Sequence, residues 1–171
     1  MTTSTGRSRH TEKLWRRLPS YLLALAFLAG CQDRSFLTDL KSPDVAVRVR
    51  AIEFLGSQRD RGAIPQLMDA LRDTVVEVKA KAAWALGMVQ AKEAVEPIID
   101  LLSDPTRRVR QSASRALLHI EEPEALPALK EAISREKDEW VRRDMEDAIS
   151  HLTQFEGETD VGEASFRGNY L

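Results

Sequence analysis

One thiol and three imidazoles are the side chains of this 171-residue chain best suited to chemistry. Cys31 is the sole cysteine and closes an apolar run, LALAFLAGCQD, at residues 23–33. A lone thiol there is a buried core residue, a nucleophile or a site of modification. It cannot form an internal disulfide, and a cysteine-rich zinc site needs more thiols than this. The histidines are His10, His119 and His151. A metal site needs three or four convergent ligands, and His119-Ile120-Glu121 has no counterpart elsewhere in the chain. Beyond residue 31 there is no glycine-rich phosphate loop, serine-nucleophile motif or reactive cysteine. The expectation is a protein with no catalytic residue, no metal ligand and no bound cofactor.

What precedes Cys31 decides among its readings. Residues 1–17 are Ser/Thr-rich and basic, and about ten apolar residues follow, from Tyr21 to Gly30. A basic flank, a short apolar core and small residues at its end are the parts of a secretory signal peptide. The run is too short to cross a bilayer, which takes roughly 20 apolar residues. Leu28-Ala29-Gly30-Cys31 resembles the bacterial lipobox, in which an aliphatic and two small residues precede an obligatory cysteine. The resemblance implies cleavage between Gly30 and Cys31 and a covalent lipid (thioether diacylglyceryl, then acyl) on Cys31. Each buried methylene contributes about 0.8 kcal/mol, so two or three chains anchor stably where one does not. It also implies export across the inner membrane and attachment within the bacterial envelope, with Gln32 favouring the outer membrane. Without residues 1–30 the chain keeps 20 basic and 26 acidic side chains, about −6. That balance argues against nucleic acid, whose phosphates demand a basic footprint.

The elements that follow repeat. VRVRAIEFLG (47–56), VKAKAAWALG (78–87), VRQSASRALL (109–118) and VRRDMEDAIS (141–150) align without gaps, their first valines 31, 31 and 32 residues apart. AIPQLMDAL (63–71), AVEPIIDLL (94–102) and ALPALKEAI (125–133) repeat in step, and the extra residue falls after Ile133. Apolar spacings of three and four predict two helices per unit. Ser42, Asp73 and Asp104 are expected as N-caps, and Gly56 and Gly87 as left-handed residues that stop the first helices. Leu118-His119 replaces the glycine in the third unit, which predicts a longer helix there. The units resemble the HEAT-like repeats named for phycobilin lyases, with their Asp, turn, Val-Arg, small pair and Ala-Leu-Gly. The implied fold is all-α: a short α-solenoid of about three and a half helix-pair repeats, because one pair cannot bury its apolar face alone. Phe36 and Leu40 align with the leucines of a second helix. Domains follow: signal peptide 1–30, repeat domain 31–155 anchored through Cys31, and an acidic disordered tail at 156–171.

Two charge ladders run along the repeats. Arg48, Lys79, Arg110 and Arg142 follow each leading valine and are expected to bond capping acids or neighbouring repeats. Asp69, Asp100 and Glu131 recur on the second helices, where solenoids bind partners. Together with Trp84, the one large aromatic at a first-helix outer position, they are the candidate partner-binding residues. The reading is a monomeric, membrane-anchored protein-interaction scaffold. Its alternatives are a HEAT-like enzyme or cofactor-loading factor of lyase or chaperone type, and a passive structural lipoprotein.

Overall fold

A computed structural model describes the backbone of residues 36–166 and the side chains of residues 36–154. Gly30, Cys31 and the rest of the signal segment lie outside the described residues. The chain divides at Ser35/Phe36, and the second unit is the repeat body.

That body is helical throughout its regular structure. A helical turn at 36–39 is followed by α1 (Val45–Ser57), α2 (Ile64–Ala70), α3 (Val76–Val89), α4 (Val95–Asp100), α5 (Arg107–Ile120), α6 (Leu126–Arg135) and α7 (Glu139–Phe166). Odd-numbered helices form one layer, stacked α1 on α3, α3 on α5 and α5 on α7; even-numbered helices form the other. Small side chains at one register set the stacking distance: Ala51, Ala82 and Ala113 are fully buried. Leu55, Leu86 and Leu117 fill the space behind them, and Leu67, Ile98 and Leu129 are their counterparts on the second layer. Helix α3 has neighbours on both sides and buries residues nearly all round, from Val78 to Val89. At the amino-terminal end, Leu40 is buried and Phe36 stacks on Phe54 with ring centroids 4.0 Å apart. The segment therefore closes the first repeat as a second helix would.

Gly56 and Gly87 do not stop their helices. Helix α1 runs through Gly56 to Ser57 and α3 through Gly87 to Val89. A Cβ at Gly56 would sit 2.8 Å from Ala85 Cβ, and one at Gly87 would sit 2.9 Å from Ala116 Cα. Both glycines are there for close helix approach. The left-handed residues come three positions later, at Arg59, Gln90 and Glu121, with φ of 53°, 55° and 62°. Asp60 and Ala91 then donate back to Leu55 O and Leu86 O, each at 3.1 Å, which is the Schellman closure. Since the stop does not depend on glycine, α5 ends at Ile120 in the same register as α3 at Val89 and is no longer than it.

The helix starts are also shifted. Helices α1, α3 and α5 begin after Asp44, Val75 and Thr106, and Asp44 caps α1 by accepting from Ala46 N at 2.8 Å. Asp73 and Asp104 instead accept from Val75 N and Thr106 N, each at 2.8 Å, and so shape the turn before the helix. The backbone is helical to Phe166, eleven residues into the segment expected to be a disordered tail. Extension from a formed helix needs no new nucleus, and glutamate and alanine propagate it despite Gly157 and Gly162. No helix among the described residues is long and apolar enough to cross a membrane.

Candidate functional site

The basic ladder holds adjacent repeats together. Arg48 Nε lies 3.0 Å from Asp73 Oδ2, and Lys79 Nζ lies 2.7 Å from Asp104 Oδ2. Arg110 makes a forked pair with Glu136, at 2.6 and 3.0 Å. Each acid also accepts the amide two residues on, Asp138 N in the case of Glu136. Glu136 therefore stands where Asp73 and Asp104 stand, and the extra residue of the last repeat lies just before it. Arg110 further donates to Asp104 O and Pro105 O, as Arg48 does to Ser42 O and Pro43 O. The hydrogen bond from Arg110 holds the Glu136 carboxyl below its ordinary range and, in return, the Arg110 guanidinium is pushed up. Burial acts to raise the Asp104 carboxyl, but bonds from Lys79 and the Thr106 amide outweigh it and lower it. Among the described residues Arg142, in the last repeat, pairs within its own helix, with Glu146 at 3.7 Å.

Three cations on the outer side of the first-helix layer are also paired with acids of neighbouring repeats. Lys81 pairs with Glu53, Arg108 with Glu77 at 3.3 Å, and Arg115 with Asp144 at 3.1 Å. Trp84 is half-buried in a shallow depression of about 200 Å³ that also involves Arg108, Gln111, Arg115 and His119. Its ring packs on the bare backbone at Gly56 and lies 5.8 Å under Lys81 Nζ. His151 Nε2 lies 3.2 Å from Glu121 Oε1, while the His119 carbonyl accepts from Gln90 Nε2. Among the described residues no group of three or more His, Cys, Asp or Glu could hold a metal ion.

The second-helix layer differs. Between α2 and α4 runs an open groove of about 670 Å³, with Pro65, Met68, Pro97 and Leu101 among its apolar lining. Arg61 at its rim faces Glu93 at 3.8 Å and donates to Val89 O. Asp69 and Asp100 both line it, both are exposed, and neither side chain makes a hydrogen bond or ion pair within the described residues. Thus two of the four candidate residues are brought together. Glu131 pairs with Arg135 at 2.8 Å outside this groove, and Trp84 belongs to the other layer. Sequence reasoning missed Arg61, Arg72, Met68 and Pro97 as groove residues; only the repeat register, applied to every position of the second helices, could have found them.

The same register is recognised by a family model: the one for HEAT repeats matches residues 35–91 and 74–150. The chain belongs to the HEAT-repeat family. Two solved structures share this HEAT fold. An engineered protein superposes with a TM-score of 0.56 at 22% identity, covering 69% of this chain and 61% of that one. The complex of CpcE and CpcF of phycocyanin lyase from Nostoc sp. PCC7120 superposes with a TM-score of 0.56 at 22% identity, covering 80% of this chain and 70% of that one. At that identity the likeness is one of fold. No curated protein matches.

Proposed function

We propose that this HEAT-repeat chain is a lipid-anchored scaffold of the bacterial envelope that holds a partner protein in the α2/α4 groove. The observation that supports binding is the contrast between the two layers. On the outer layer, Lys81, Arg108 and Arg115 are each tied to an acid of a neighbouring repeat. In the groove, Asp69 and Asp100 flank apolar side chains and make no hydrogen bond or ion pair within the described residues. Charge used for stacking is consumed, whereas charge left beside an apolar surface is available to a partner. Asp69→Arg with Asp100→Arg is expected to abolish cross-linking to the partner while leaving helicity unchanged. Undiminished cross-linking would place the interface elsewhere.

The anchor rests on Leu28-Ala29-Gly30-Cys31 behind a basic and apolar leader. Cys31→Ser is expected to leave the protein uncleaved and free of incorporated labelled palmitate. An unchanged acylated band in that variant would overturn the anchor. A second reading, a cofactor-loading factor, draws on the phycocyanin-lyase likeness alone. It requires that purified protein carry or bind a visible chromophore, which absorbance spectroscopy reads directly.

A further inference from the structure

We infer that the amino-terminal end face of the repeat body, formed by Val47, Arg50 and Phe54, lies on the bilayer that holds the anchor, with anionic headgroups against Arg50. This inference rests on the anchor reading and adds which surface of the body meets the membrane. The repeat register defines the face. In later repeats Ala85 and Ala116 meet Gly56 and Gly87 of the repeat before, and Val78, Val109 and Val141 are fully buried. Lys81 likewise reaches back to Glu53, and Asp144 accepts from Gln111 and Arg115. The first-repeat residues at these three positions are Phe54, Val47 and Arg50. Among the described residues no first helix precedes α1, and Val47 and Phe54 are only half-buried. Phe36 stacks on Phe54 and extends the apolar surface. Arg50 is exposed and, within the described residues, donates only to Ala46 O of its own helix, at 3.3 Å.

Size and position choose the occupant. Where alanine meets glycine between the inner repeats, the end face carries Phe54. A second copy stacked end to end would bring Ser150, the register equivalent of Gly56 and Gly87, against that ring. A phenyl ring in a space that alanine fills is overpacked, so the solenoid does not continue into another copy here. Cleavage before Cys31 leaves residues 31–35 ahead of Phe36, too few to form a covering helix. A fluid interface takes up a ring of any outline, and apolar side chains beside a cation are what interfacial binding surfaces are made of. Position adds proximity. Phe36 follows Cys31 by five residues, at most about 18 Å of extended chain. A tether that short raises the effective concentration of bilayer to the millimolar range, enough for a face whose free affinity is weak.

Photo-cross-linking in cells grown with radiolabelled phosphate tests this. The label marks phospholipid, whereas the diacylglyceryl group on Cys31 carries no phosphate. A photo-reactive residue at Phe54, or at Val47 where the first variant fails to fold, is expected to give light-dependent phosphate label on the chain. The same residue at Trp140, exposed on α7 in the last repeat, is expected to give none. With purified lipidated protein in vesicles containing phosphatidylglycerol, Arg50→Gln should lower the adduct by up to about fivefold. That is the factor that about 1 kcal/mol per basic residue near an anionic surface gives. In uncharged phosphatidylcholine vesicles the same variant should match the parent. Circular dichroism confirms that each variant is folded. No label at the end face, equal label at Trp140, a protein adduct in place of lipid, or an Arg50→Gln yield unchanged in charged vesicles would overturn the inference. Where the chain still incorporates palmitate, that failure spares the anchor; where palmitate is absent as well, both are overturned.

Discussion

Gly87 gives up helix propensity for contact. An alanine in an open helical position gains about 1 kcal/mol over glycine. Here the added carbon would meet the Ala116 backbone at 2.9 Å, which only a shift of α3 from α5 relieves. Overpacking of that kind costs about 1–3 kcal/mol, so Gly87→Ala should lower stability in urea denaturation; a variant as stable as the parent would refute the packing account. Glu136 makes a second residue-scale case. Its carboxyl is lowered by Arg110, while in the unfolded chain it titrates near about 4.3. Its stabilisation is therefore complete above about pH 5 and is lost as pH falls through the depressed folded value. Glu136→Gln should cost on the order of 1–3 kcal/mol at pH 7 and flatten the acid limb of the melting temperature between pH 5 and 3. Parallel acid limbs would contradict this. Neither feature was legible in the residues alone. Gly87 reads as a helix stop, and Glu136 reads as loop until its Oε1 is seen to accept from Asp138 N in the manner of Asp104.

At the scale of elements, spacing carried most of the information. The period of 31 located every helix pair, and Pro65 and Pro127 fell in first turns as their missing N–H predicts. Boundaries were less legible because the residues that set them are atypical. Arg59, Gln90 and Glu121 take left-handed backbone without being glycine or asparagine, and Schellman bonds close the corners after Arg59 and Gln90. A left-handed turn costs an L-residue about 1–2 kcal/mol, partly offset by glycine's own entropy of about 0.5–1 kcal/mol. Arg59→Gly should thus stabilise the domain by up to about 1 kcal/mol, read as a rise in melting temperature; a fall would show that the arginine side chain itself supports the corner. The helix past Glu156 escaped notice for a related reason. Composition describes the segment in isolation, whereas α7 enters it already nucleated.

For the whole molecule, the repeat fixes a surface with two unlike sides. On one side Lys81, Arg108 and Arg115 pair with acids of neighbouring repeats, and the other presents Asp69 and Asp100 beside Met68 and Pro97. The acidic residues of the second helices were visible in the sequence as a ladder of three. That only two share a groove was not, since the groove is lined by α2 and α4 while Glu131 lies on α6 and pairs with Arg135. The central claim, that the second-helix layer is where this protein holds its partner, is tested most directly by site-specific photo-cross-linking in living cells. A photo-reactive residue at Met68 is predicted to give a discrete protein adduct that disappears with Asp69→Arg and Asp100→Arg, and the same residue at Ser112 on the outer layer is predicted to give none. An adduct from Ser112 and none from Met68 would contradict the account.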